Sequence, residues 1–107
     1  MTSQTLAALE GFVAALNTKF NTIEGTSLGH VFSAERPGVK YTRIVQQTRY
    51  QDGSTAGRSV FCFVDADGNI LKAAGWKAPA KGIRSTLATV DMAKVDPYGS
   101  WLYESHG

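Results

Sequence analysis

From residue 3 to residue 24 the apolar positions fall at Leu6, Leu9, Val13, Leu16, Phe20 and Ile23. Alternating steps of three and four keep one stripe of a helix apolar. Phe12 widens the stripe, Thr2 or Ser3 is placed to cap its start, and Gly25 to end it. The spacing is also that of a heptad seam, but too short to make a coiled coil. It predicts a helix packed on a sheet; a partly uncovered stripe would serve as a homodimer seam. Residues 25–38, GTSLGHVFSAERPG, read as a loop because of three glycines and Pro37. Residues 39–50, VKYTRIVQQTRY, are rich in β-branched and aromatic types and predict a strand. Residues 51–57 connect it to a second strand, residues 59–64, which is apolar on both faces and therefore central. Ala66-Asp67-Gly68-Asn69 is a hairpin turn in which Gly68 supplies the positive φ, and residues 70–73 form the third strand. Further on, Pro79 suits the first turn of a helix, and Ile83, Leu87 and Val90 give it a short stripe before Pro97. The tail carries Tyr98, Trp101 and Tyr103, which either fold onto the core or meet a partner. The prediction is one α+β domain over residues 1–107. Its N-terminal amphipathic helix packs on a three-stranded antiparallel meander. A short C-terminal helix and an aromatic tail at 98–107 complete the order α-β-β-β-α.

Composition adds bounds to this outline. At 107 residues, with 43% hydrophobic and 19% charged residues, the chain has the make-up of one folded domain. No apolar run reaches about 18 residues, so no membrane span is expected. The N-terminus lacks the basic and apolar segments of a signal peptide. A single cysteine, Cys62, forms no internal disulfide and fits a reducing compartment. The net charge of +2 hides a pattern: residues 1–35 are −2, residues 36–84 are +6 and residues 85–107 are −2. A basic middle between acidic ends suggests a polyanionic partner, DNA or RNA.

Catalytic chemistry finds little material. His30 stands alone in a glycine-rich loop, and the only other histidine, His106, is next to last. Neither a metal site nor a hydrolase triad follows from that supply. Cys62 lies mid-strand between phenylalanines, where a thiol is inert. Asp65 and Asp67 lack the further oxygen ligands of a calcium loop, and Asp67 reads as a turn residue. No enzyme and no cofactor are called for. Binding has more support. Lys77 and Lys81 flank the expected start of the second helix, whose free N–H groups favour an anion. Arg84, three residues on, would share that helix face; Lys72 precedes them, Trp76 stands among them and Arg58 opens the preceding hairpin. Basic residues around an aromatic ring combine phosphate contact with base stacking. The candidate anion- or nucleic-acid-binding set is therefore Arg58, Lys72, Trp76, Lys77, Lys81 and Arg84. A small anionic ligand at the same helix start is a further reading.

Three resemblances follow from these residues. Phe61-Cys62-Phe63-Val64 faintly resembles the aromatic strand of an RNA-recognition module, though the element order differs. The order α-β-β-β-α resembles the double-stranded-RNA-binding domain, with Lys77 and Lys81 as counterparts of the lysines at its last helix. More specifically, residues 40–45, 58–65, 68–74 and 76–81 (KYTRIV, RSVFCFVD, GNILKAA, WKAPAK) resemble a family of small hypothetical proteins of tailed bacteriophages. Phe63 to Arg84 is the most distinctive part. That family prefers Arg-Gly-Asn where this chain has Arg84-Ser85-Thr86. The resemblance implies a phage protein made in the bacterial cytoplasm and carries no activity with it. The main functional expectation is a small nucleic-acid-binding protein. The alternative is a protein-interaction module, a host-factor inhibitor or minor virion component, acting through helix 1 and the aromatic tail on a host or phage protein.

Overall fold

A computed structural model describes residues 2–22, 25–26, 28–36, 40–98 and 100–103. Its one long helix, α1, spans Ser3–Lys19, and Thr2 caps it by accepting a hydrogen bond from the Thr5 N–H at 3.1 Å. Leu9, Phe12 and Leu16 are buried, with Val13 and Phe20 packed beside them. Leu6, at the head of the expected stripe, is exposed. The helix stops short of Gly25 because the chain turns to meet a strand: the Phe20 carbonyl accepts from the His30 N–H at 2.9 Å.

That strand is β1, Gly29–Glu35, which lies inside the segment expected to be a loop. It is followed by β2, Tyr41–Arg49, β3, Thr55–Asp65, β4, Asn69–Ala73, and β5, Pro79–Thr86. They form one five-stranded sheet in the order β1-β2-β3-β4-β5, antiparallel throughout. A 3-10 turn, Ser100–Tyr103, closes the described chain.

Two expectations are corrected here. The meander has five strands rather than three, because Gly29–Glu35 pairs along its whole length with β2 and Pro79–Thr86 pairs with β4. The C-terminal helix does not exist: the residues assigned to it run as β5 into a turn. Pro79 opens an edge strand, a position that tolerates its missing N–H as well as a helix start does. Gly82 has φ +98°, which no α-helix accommodates, and β5 is irregularly registered on β4 around it. The likeness to the double-stranded-RNA-binding domain lapses with that helix. The expected turn at Gly68 is present, with φ +85°. Its anchor is Asp65 rather than Asp67: the Asp65 carboxylate accepts from the Asp67 and Asn69 N–H groups, each at 2.9 Å, and from the Asn69 amide.

The sheet has two unlike faces. Towards α1, Phe32, Ile44, Cys62, Val64 and Ile70 join Leu9, Phe12 and Leu16 in the core. The tail belongs to the same core, since Val95, Trp101 and Leu102 are buried in it. Lys19 fastens the tail to the helix end by donating to the Met92 and Val95 carbonyls. Away from α1, cross-strand partners align Glu35, Arg43, Phe63, Leu71 and Ile83 in one row across the whole sheet. Phe63 is fully buried there, with the Tyr41 ring edge-on at 6.1 Å and Arg43 as its β2 partner.

Both sheet edges are guarded. Asn17 donates to the Phe32 carbonyl at 2.9 Å and accepts its N–H at 2.8 Å, as a neighbouring strand would. On the other edge, Pro79, Lys81 and the irregularity at Gly82 blunt β5.

Candidate functional site

The row on the face away from α1 places Glu35 and Arg43 side by side near one end of the sheet. The loop between β4 and β5 folds over them. It is held by the Ala74 and Gly75 N–H groups, which donate to the Ala78 carbonyl at 3.1 and 3.3 Å. Trp76 sits on this loop, and its carbonyl accepts from Arg43 Nη1 at 3.0 Å. The Arg43 guanidinium lies 4.3 Å from the centre of the Trp76 ring, and that of Arg58, from β3, lies 5.3 Å away. Both are within cation–π range. Glu35 ties the two together, accepting from Arg58 Nη2 at 2.6 Å and from Arg43 Nη2 at 3.5 Å. Its carboxyl is held below the ordinary range, first by the Arg58 hydrogen bond and then by the two nearby positive charges.

Burial divides the labour. Arg43 is almost entirely covered and its Nε has no partner among the described residues, so it holds the loop rather than meeting solvent. The Arg58 side chain is 47% exposed and Trp76 is 40% exposed. Lys77, next on the loop, and Lys81 are exposed. Lys72 and Arg84 are half-buried, and the Arg84 Nε is buried without a partner among the described residues. Of the residues singled out in the sequence, the fold thus brings Arg58 onto Trp76 with Lys77 beside it. The described contacts do not bring Lys81 or Arg84 to that ring. The anion site at a helix start falls with the helix, since Lys81 and Arg84 lie on a strand, where a spacing of three does not share a face.

A family model matches residues 2–104. The chain belongs to a family of unknown function, DUF7717. No curated protein and no solved structure matches it. The match takes in nearly the whole chain of this DUF7717 member, well beyond the segments between residue 40 and Arg84 that carry the phage resemblance.

Two residues of this candidate site are not singled out by sequence. Glu35 and Arg43 look like ordinary strand charges, and only the β1–β2 register makes them partners. Arg49, equally basic, goes elsewhere: its Nη2 donates to the Asn21 carbonyl at 2.6 Å. Among the described residues no group of three or more His, Cys, Asp or Glu side chains comes together around a metal position. Asp65 spends its carboxylate on the turn. Cys62 is fully buried, which raises its thiol far above the ordinary range and keeps it un-ionised.

A second feature is a cleft of about 330 Å³ where β1, β2 and β3 meet the tail. Its wall includes His30, Gln46, Thr48, Ser59, Phe61 and Tyr98. His30 is only 8% exposed, and the Gln46 amide nitrogen lies 3.1 Å from its Nδ1. Burial lowers the His30 pKa from its ordinary 6.5. A histidine buried in its neutral form stabilises the fold fully above about pH 6.5. As pH falls below that value the unfolded chain takes up the proton first, so this contribution is lost on acidification. Denaturant midpoints measured from pH 7.5 to pH 5 will therefore fall, and His30→Gln will flatten that decline. A wild-type decline left intact in the variant would assign it to another group.

Proposed function

We propose that this DUF7717 protein is a small non-catalytic binding protein that takes a nucleic acid on the sheet face away from α1. The observation that carries the reading is the exposed Trp76 ring with Arg58 against it and Lys77 beside it. Arg58 would supply a planar guanidinium to a phosphate, exchanging its exposed ion pair with Glu35, a contact worth little in water. Trp76 would offer the remainder of its ring to a base. Arg43, which donates to the Trp76 carbonyl and pairs with Glu35, would hold the loop in place for binding. Lys81, Lys72 and Arg84 would add to the surrounding positive field rather than to the contact itself. On the phage resemblance, the nucleic acid would be met in the bacterial cytoplasm.

Titration of labelled single- and double-stranded DNA and RNA at low and moderate salt tests this. Affinity should fall steeply with salt, with a log–log slope of roughly −0.7 to −0.9 per phosphate contact. Arg58→Glu combined with Lys77→Glu should lower affinity at least about tenfold and flatten that slope. Absence of binding at low salt, or full affinity in the double variant, defeats the proposal.

The alternative, protein capture through α1 and the tail, has a narrower basis. Leu9, Phe12, Leu16 and Trp101 are in the core, leaving Leu6 and Tyr98 as the exposed large apolar residues of those two segments among the described residues. Tyr103's side chain lies outside the described residues. Light scattering that reports a dimer, abolished by Leu6→Glu, would favour it.

A further inference from the structure

The His30 cleft has the chemistry of a second binding site. Among the described residues, no Asp, Glu, Lys or Arg lines it. Its polar groups are the neutral amides of Gln46 and Gln47, the hydroxyls of Thr48 and Ser59, and the His30 imidazole. With the Gln46 amide nitrogen donating to Nδ1, the imidazole proton sits on Nε2. That Nε2 is buried and has no hydrogen-bond partner among the described residues. A buried donor left unmade is costly, and a ligand acceptor entering the cleft would end that deficit. The remaining wall is apolar and partly planar. Phe61 and Tyr98 both line it, and the Tyr98 ring meets His30 edge to face with centroids 6.1 Å apart. Tyr98 is 79% exposed, although an aromatic of its size is ordinarily better covered. The volume is at the lower end of ligand clefts, about 300–1,000 Å³.

We propose that this cleft binds an uncharged nucleobase, as a nucleoside or as one unpaired base of a strand, with His30 Nε2 as donor to the base edge and Tyr98 as its stacking platform. A charged ligand would enter a neutral cleft with no counter-charge and lose its hydration. A base presents what this wall complements: a π-face for an aromatic ring and a polar edge for amides and an imidazole. The site is separate from the Arg58–Trp76 face and does not depend on that face binding anything.

Calorimetric titration of the full chain with adenosine, guanosine, cytidine and uridine, and with methyl glucoside as a non-aromatic counter-probe, tests the assignment. At least one nucleoside should bind saturably in the low-millimolar range or tighter, with little dependence on salt. Tyr98→Ala should weaken it about fivefold or more, the lower end of what one stacked aromatic contributes. His30→Gln should weaken it as well, and if that variant does not fold, the exposed Tyr98 decides alone. No nucleoside binding, unchanged affinity in Tyr98→Ala, or preference for the glucoside overturns the assignment. Arg58→Glu with Lys77→Glu should leave nucleoside affinity unchanged while removing polyanion binding, so the two readings fail separately.

Discussion

Trp101→Ala should lower the unfolding free energy by about 3–5 kcal/mol, the usual cost of emptying a large aromatic site in a core. The reason lies in how the tail is attached. Trp101 is 2% exposed, and its ring lies 5.8 Å from that of Phe61. Phe61 in turn meets Phe32 edge-on at 5.0 Å, so removal of the indole undercuts an aromatic stack spanning β1, β3 and the tail. Val95 and Leu102 are buried on either side in sequence. The Asp96 carboxylate accepts from the Tyr98 and Trp101 N–H groups at 2.9 and 3.2 Å, which sets the approach of the turn. A small domain has only about 5–15 kcal/mol in total, so this one change leaves it marginal. The measurement is the urea midpoint at constant slope. Tyr98→Ala, three residues earlier and exposed, should change it little. A Trp101→Ala loss below about 1 kcal/mol would mean that the tail rests on the core without belonging to it.

The same tail shows what sequence alone can and cannot carry. Its aromatics were visible, but whether they face the core or a partner depends on what α1 leaves uncovered, and no local pattern encodes that. α1 itself was legible because Leu9, Phe12 and Leu16 repeat at helical period over about two turns. β3 was legible because Phe61 to Val64 is apolar on both faces. β5 departs from the expected helix for a physical reason: Pro79 fits a helix start and an edge strand equally well. The spacing of Ile83, Leu87 and Val90 mimics a helical stripe, although Ile83 is 59% exposed in the fold. β1 is hidden by its surroundings, since Gly25 before it, Gly29 at its start and Pro37 after it read as loop, and its burial does not alternate cleanly. For the site, Trp76, Arg58 and Lys77 were named from composition and order. Glu35 and Arg43 depend on cross-strand register, which is tertiary information.

Gly29→Ala should be among the most damaging single-methyl additions in the chain, costing about 1–3 kcal/mol as overpacking. The cause is contact and not backbone conformation. A Cβ at residue 29 would stand 2.0 Å from the Asn21 carbonyl oxygen, 2.9 Å from its carbon and 2.6 Å from Arg49 Nη2. That oxygen is the acceptor of the Arg49 guanidinium, and Arg49 is the β2 partner of Gly29. One residue further, the His30 N–H bonds the Phe20 carbonyl. Gly29 therefore marks the point where the segment leaving α1 crosses the edge of β1 with no room for a side chain. Relief requires moving backbone, which drags the Arg49 bond and the His30 bond with it. Gly11→Ala is the matched control of opposite sign. Its site is exposed within α1 with nothing within 4 Å, so alanine should add about 0.5–1 kcal/mol. Because Gly29→Ala and Arg49→Ala disturb one junction, the double variant should lose clearly less than the sum of the two single losses. Additive losses in denaturant titrations would show that the clash is relieved elsewhere and that the Arg49–Asn21 contact survives the methyl group.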